Sequence, residues 1–555
     1  MSPNRVLSAP LWLASTAVQI VVWLGQLLAA AGLYLWLRTC GGIVVFSGIL
    51  LPGFMLIGRR IAFEPSSVIE RDLPFGPERR QYADVYLPQC GAGAALVRKM
   101  RAGGVGPRPG IDGAAETAAA AGPGAPVVLF FAGGGWTIGY KYWGAALAFR
   151  LAARGIVVVC ADYRQFPQAD AAGMVQDVGA ALRWTIQHAT RFGGDPRRVI
   201  MVGQSAGAHL STQYVLRAAE ALRYQDEGGR LSGLPAPPCG DQGLALPAAL
   251  VAISGVYLLR SSLLPFKRRG MTDAMIKGIF GGSDDASLDS SSPLCVLEGL
   301  AGRTGRKGPG AISEQFTSSP DGSEEARAPV ASRDGTLGTD GFPLLPESVL
   351  DTPAGPSAAT TPTSSRRAEW GPTLSEAAAE EAAIDAIAPR SPGSSSLLDA
   401  ARRAVLFVLL HGEQDTVADQ AEARLLHREL VSGGWRSVMG LYRGATHTSP
   451  IIEDAMRGHD YLLEDVFAVC RHVETRSPVR ATAIDAGPLS LSQDIPSVEA
   501  TAGAGRQPAR KPGTIQEGSV VAAAPGRPVF GGDLEVLPRL APDSFIDTAK
   551  EWNPF

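Results

Sequence analysis

An α/β chain, with a mostly parallel sheet covered by helices on both faces, is the fold class these 555 residues predict. Three observations predict it. Short apolar runs of strand type alternate with amphipathic helical stretches, as in "PVVLFF", "GAALAFRLAAR", "GIVVVCADYR" and "MVQDVGAALRWTIQHATRFG". The runs are apolar throughout instead of alternating, which fits strands buried on both faces. One of them, in "GGDPRRVIMVGQSAGAHL", passes directly into a helical pattern through a turn flanked by glycines.

The elements follow in order. At the amino end, Leu11–Leu37 runs without a charge and is long enough to span a bilayer, for which about 20 residues suffice. A second apolar run, Gly41–Ile57, is broken by Pro52 and ends at Arg59 and Arg60. It is expected to cross, re-enter or lie at the interface, and residues 1–64 read as an anchor of one or two spans. With two spans, Arg5 and Arg59–Arg60 place both ends in the cytosol. A strand-like "YADVYLP" opens the α/β domain, whose first part covers 65–297 with a flexible Gly/Ala-rich insert at about 90–124. Residues 298–392, rich in Ser, Pro, Gly, Ala and charge, read as a disordered insert. The domain resumes over 393–475 with "AVLFVLLHG", and 476–555 read as a disordered tail.

Bulk composition narrows the function. Much of the length is linker-like, with 65 Gly and 41 Pro. A net charge of −3, without an aromatic-interleaved basic stripe, gives no sign of nucleic-acid binding. The six cysteines, Cys40, Cys90, Cys160, Cys239, Cys295 and Cys470, are scattered without a C-x-x-C pair and read as reduced thiols. No H-E-x-x-H or clustered His ligands appear, so neither a metal nor another cofactor is expected.

The glycine-flanked turn carries chemistry. Gly203 and Gly207 leave room for a sharp strand-to-helix turn that lifts Ser205 with its Oγ exposed. Acyl transfer also needs a base, an acid to orient it, and donors for the oxyanion. "HGEQDTVAD" places Asp415 just past a strand, and "MGLYRGATHTSP" places His447 in a later loop. The order serine, acid, histidine is that of an α/β-hydrolase triad. Gly133 and Gly134 of "FFAGGGWTIGYKYWG" are candidate oxyanion donors with the N–H of Ala206. His209, four residues after Ser205, reads as a helix or pocket-wall residue, and His411 as shaping a backbone turn. Asp419 is expected to start the next helix.

The stretches "GGGWTIGYKYWG", "DYRQFPQ", "FGGDPRRVIMVGQSAGAHL", "HGEQD" and "GATHTSPIIEDAMRG" together resemble the isoprenylcysteine methylesterases. These are membrane-bound α/β-hydrolases related to the hormone-sensitive-lipase and kynurenine-formamidase groups. The resemblance covers about Phe75–Pro88, Pro126–Arg217, Ala248–Pro293 and Ala404–Cys470. It implies hydrolysis of a carboxyl methyl ester on a prenylated protein carboxyl terminus or a prenylcysteine analogue. Ser205 would be the nucleophile, His447 the base and Asp415 its orienting acid. It also implies membrane lipid as a partner and an endoplasmic-reticulum or Golgi membrane with the catalytic domain facing the cytosol. Trp136, Tyr140, Tyr142 and Trp143 are expected to line an apolar groove beside the oxyanion loop. One departure is Ala132, where lipase relatives carry the His of an H-G-G-G motif. A general carboxylesterase or aryl formamidase has the same fold, and a non-catalytic binding protein on this scaffold is the alternative from another class.

Overall fold

The computed structural model describes residues 53–102, 124–227, 244–269, 271–301, 396–475, 515–530 and short pieces of 539–547. Nine strands form one sheet: β1 (Ile69–Pro74), β2 (Tyr82–Tyr86), β3 (Ala125–Phe131), β4 (Val157–Ala161), β5 (Gly194–Gln204), β6 (Ala249–Ile253), β7 (Leu406–Gly412), β8 (Arg436–Tyr442) and β9 (Val520–Ala523). Their order is β1-β2-β4-β3-β5-β6-β7-β8-β9. The β1–β2 and β2–β4 pairs are antiparallel and every later pair is parallel. This is the predicted α/β-hydrolase sheet.

Uniform hydrophobicity of the central strands has a direct structural cause. Along β3, Val127, Leu129 and Phe131 enter one core while Val128 and Phe130 enter the other. Period-two side-chain direction therefore feeds two apolar layers, one on each face. The first layer is closed by α4 (Ala206–Asp226), which buries Leu210, Tyr214, Val215 and Leu222. The opposite layer is closed by α2 (Ala145–Ala153) and by α12 (Tyr461–Thr475) through Leu462, Val466 and Val469. Truncating a ring such as Phe131 in this packing is worth roughly 3–5 kcal/mol.

Further helices of the domain are α1 (Gly91–Ala102), α3 (Ala171–His188), α5 (Leu259–Arg268), α6 (Asp273–Phe280), α7 (Asp285–Ser290), α8 (Pro293–Leu300), α9 (Leu397–Ala404), α10 (Gln420–Ser432) and α11 (Glu453–Arg457). Sequence-readable caps begin several of them. Asp170, Thr272, Asp284, Ser396 and Asp419 each accept a hydrogen bond from a backbone N–H in the first turn. Helices α8 and α9 both pack on α4, so the described chain leaves and re-enters the domain against the same helix.

Two expectations are corrected. The insert read as flexible from residue 90 begins with α1, whose Ala94, Leu96 and Val97 are buried. Its Gly/Ala content hid a short apolar face. The tail read as disordered supplies β9, which pairs in parallel with β8 from Met439↔Val520 to Tyr442↔Ala523. Buried Asp465 on α12 fixes the following segment, its carboxylate accepting from the N–H groups of Val529 (2.8 Å) and Phe530 (2.5 Å) and from Tyr442 Oη (2.7 Å). A four-residue strand is too short to show a period, but it covers the edge that β8 would otherwise expose. None of the four described cysteines forms a disulfide. Among the described residues no helix is long and apolar enough to cross a membrane. Leu11–Leu37 and the whole of 302–395 lie outside the described residues, as does the second apolar run up to residue 52.

Candidate active site

The triad residues and the glycine loop sit just past the carboxyl ends of parallel strands, where open α/β sheets place their sites. Ser205 follows β5 at φ 52°, ψ −118°, a backbone conformation that L side chains rarely hold. Its N–H donates to Ile253 O of β6 (2.8 Å), which fastens the elbow to the neighbouring strand. The flanking glycines are required by space: a Cβ on Gly203 would meet Gly207 O at 2.5 Å, and one on Gly207 would meet Phe131 O at 2.4 Å.

The acid and base come from the next strands but one and two. Asp415 follows β7 and His447 follows β8. His447 Nε2 lies 2.8 Å from Ser205 Oγ, and His447 Nδ1 lies 2.8 Å from Asp415 Oδ2. The other Asp415 oxygen accepts from the N–H groups of Val417 (2.8 Å) and Ala418 (3.0 Å). Burial alone would raise the Asp415 pKa, but the His447 imidazole and these hydrogen bonds outweigh it and hold the carboxyl at about 2. A carboxylate in this state fixes the imidazole with Nδ1 protonated, leaving Nε2 to accept the hydroxyl proton. The three residues chosen from sequence are brought together. Asp419 is the N-cap of α10, as expected.

The glycine loop after β3 presses on the nucleophile. A Cβ on Gly133 would come within 2.8 Å of Ser205 Cβ and 2.3 Å of Gln204 Oε1. Around it, the loop carbonyls are tied away. Ala132 O accepts from Tyr163 Oη (3.0 Å), Trp136 O from Phe166 N–H (2.9 Å), and Gly139 O from Arg80 Nη2 (2.8 Å) and Gln165 Nε2 (2.5 Å). A trans peptide holds its N–H opposite its C=O, so each tie also aims an N–H. The N–H of Ala206, at the amino end of the 21-residue α4, belongs to the set of helix donors without an intrahelical partner. The loop, which has Ala132 at its start, is held in this chain by Tyr163, Gln165 and Arg80. Sequence reasoning missed these three. Tyr163 and Gln165 lie in "DYRQFPQ" and Arg80 just before "YADVYLP", but nothing in either string shows that it meets the loop.

Beneath the loop, Lys141 is buried with Nζ 2.6 Å from Asp72 and 2.7 Å from Asp84. Burial would lower the Lys141 pKa, yet Asp84, Asp72 and Asp162 together raise it, so the ammonium stays charged. Its own N–H donates to Asp162 Oδ1 (2.8 Å), which locks the exit of the loop.

The expected apolar groove is not assembled as one wall. Trp136 is 2% exposed and belongs to the core under α4, against Phe266 and Phe280. Tyr142 and Trp143 rest against the core on the other face of the sheet. Tyr140 meets Tyr142 edge-on at 4.7 Å between ring centres. Trp136 is thereby corrected from groove to core, because the turn at φ 62° directs its ring inward. His411, expected to shape a turn, is buried with Nε2 3.0 Å from Ala418 O, and burial lowers its pKa. Among the described residues no cluster of acidic, His or Cys side chains could hold a metal ion.

Sheet and relay define a class: a serine-hydrolase type of site on an α/β-hydrolase fold. The BD-FAE family profile matches residues 116–226, which include the glycine loop and Ser205. A probable isoprenylcysteine alpha-carbonyl methylesterase of Oryza sativa subsp. japonica is 32% identical over 271 residues, 49% of this chain and 53% of the relative. The isoprenylcysteine alpha-carbonyl methylesterase of Arabidopsis thaliana is 29% identical over 266 residues, 48% of this chain and 51% of the relative. Carboxylesterase NlhH of Mycobacterium tuberculosis is 32% identical over 182 residues, 32% of this chain and 52% of the relative. Among solved structures, a phosphonate-inhibited esterase B of Lactobacillus rhamnosis aligns at TM-score 0.39 and 14% identity, covering 76% of this chain and 93% of that one. The chain is thus a relative of the isoprenylcysteine alpha-carbonyl methylesterases, as its motifs indicate. It spans about half the length of the curated relatives it matches.

Proposed function

We propose that this chain is a serine carboxylesterase that hydrolyses carboxyl methyl esters of prenylcysteine, on proteins or small analogues. The observation that carries the reading is the closed relay from Ser205 Oγ through His447 to Asp415, at 2.8 Å in both steps. His447 Nε2 takes the hydroxyl proton as Ser205 Oγ attacks the ester carbonyl. The developing oxyanion is met by the N–H groups of Gly133, Gly134 and Ala206. Collapse breaks the bond to the methoxy oxygen, which takes the proton from His447 and leaves as methanol. A water then gives its proton to His447 and attacks the acyl-enzyme; His447 returns that proton to Ser205 Oγ as the acyl C–O bond breaks, and the acid leaves as its carboxylate, its own proton passing to solvent. Each oxyanion donor in such a site is worth about 2.7–4 kcal/mol of transition-state stabilisation.

The prenyl substrate is supported by the relatives' names and by the charge-free run at the amino end, with which the chain would meet a lipid-borne substrate in two dimensions. Residues 53–63, helical, carry exposed Phe54, Met55, Leu56 and Phe63, an apolar surface suited to a lipid interface. We place the enzyme on an endoplasmic-reticulum or Golgi membrane, its catalytic domain toward the cytosol.

The test compares wild type and Ser205→Ala in detergent on farnesylcysteine methyl ester, p-nitrophenyl acetate and N-formylkynurenine. Preference for the prenyl ester, with turnover falling roughly 10⁶-fold in the variant, is the expected result. Turnover of only the generic ester or only the formamide replaces the substrate class with general carboxylesterase or aryl formamidase. No turnover, with unchanged prenylcysteine binding by the variant, makes the chain a binding protein.

A further inference from the structure

The relay leaves His209 unused, although it stands on α4 four residues beyond Ser205. Its side chain is fully buried. Trp136 Nε1–H donates to His209 Nδ1 over 3.2 Å, which puts the ring proton on Nε2, and Nε2–H meets Ser291 O at 2.8 Å. Both nitrogens are engaged and the tautomer is fixed by its partners. Trp136 is the residue that ends the glycine loop, and it holds φ 62° with its ring edge-on to His209, Phe266 and Phe280 at 5.3, 5.6 and 5.1 Å. Ser291 ends α7, and one stripe of α4 reaches that end: Gln213 Nε2 donates to Ser290 O at 2.9 Å and Arg217 donates to the same oxygen. Burial lowers the His209 pKa to about 4, so the ring is neutral where esterases work.

We infer that His209 is a positioning residue, a neutral strut that ties the oxyanion loop to the nucleophile helix through Trp136 and ties both to the Ser291 carbonyl. The inference rests on the serine-hydrolase reading above. It explains how a loop ending in a left-handed tryptophan keeps its N–H donors at a fixed distance from Ser205 Oγ. A strut of this kind acts when charge develops on the carbonyl oxygen, not when substrate docks.

The test uses the full chain with His209→Leu, His209→Gln, Trp136→Phe and the His209→Leu/Trp136→Phe pair. Gln supplies one acceptor and one donor in place of the two ring nitrogens, and Leu supplies neither. Readouts are kcat and KM on p-nitrophenyl butyrate, affinity for an alkyl trifluoromethyl ketone that forms a tetrahedral adduct, the pH profile and Tm. Expected are a kcat loss of about tenfold or more in His209→Leu, KM within about twofold, and a matching loss of ketone affinity. His209→Gln recovers most of kcat with an unchanged pH profile, and the double variant is no worse than the worse single one. The inference is overturned if His209→Leu lowers Tm but keeps kcat per folded enzyme. A shifted acid limb in His209→Gln, or additive losses in the double variant, would also overturn it. Wild type that neither turns over an ester nor labels at Ser205 with a phosphonate overturns the hydrolase reading and the strut together. An active wild type with an equally active His209→Leu sinks only the strut.

Discussion

Ser205, Trp136 and Ser254 hold φ values of 52°, 62° and 49°, and all three follow strand ends around the same site. Left-handed backbone at a residue with a side chain costs of the order of 1–3 kcal/mol, and it survives only where neighbours over-determine it. Here they do. Ser205 N–H is taken by Ile253 O, Ser254 N–H by Leu410 O, and Trp136 O by Phe166 N–H. The same tightness makes Gly133 irreplaceable. Gly133→Ala should lower kcat/KM by roughly 10²–10³-fold with a small change in Tm, measured on any ester that wild type cleaves, because the methyl can be accepted only by displacing the donors from Ser205. The triad was legible at this scale because each member sits in a short string at a strand end. Trp136 was not, because φ 62° decides whether its ring faces groove or core, and a sequence carries no φ.

At the scale of elements, the parallel core strands and their covering helices could be read from uniform apolar runs and period-3.6 faces. What escaped was held by contacts distant in sequence. Arg80 reaches Gln165 across 85 positions, and Asp465 captures Phe530 across 65. The Asp465 carboxylate serves β9 as a side chain serves a helix cap: it satisfies N–H groups that would otherwise be buried without partners. Asp465→Ala leaves Tyr442 Oη and the N–H groups of Val529 and Phe530 without this acceptor. We expect a loss of about 3 kcal/mol in denaturant unfolding and faster hydrogen exchange confined to 520–530, with ester turnover of the folded enzyme little changed. Uniform exchange across the sheet would show instead that β9 is integral to the cooperative core.

At the scale of the whole molecule, the chain departs after α8 and returns at α9, and both helices pack on α4. The N–H groups of Leu397 and Leu398 are received by Asp226 at the end of α4 (2.9 and 3.1 Å), so the return point has its own anchor. Replacing residues 302–395 by a Gly/Ser linker should therefore keep the triad geometry. The check is kcat/KM on p-nitrophenyl butyrate, expected within about threefold of wild type, since loop length enters closure entropy only logarithmically. A large loss would give the replaced segment a part in the site.

The separation of Ser205 from His447 by 242 positions has a further consequence, in the time domain. A ribosome adding roughly 5–20 residues per second completes the elbow and the glycine loop about 12–48 s before it supplies the base. Throughout that interval the nascent serine carries an ordinary hydroxyl, without an imidazole to take its proton. The growing polypeptide lacks its relay until β8 docks beside β7, so under the proposed function esters near the site of synthesis are safe from it until the fold closes.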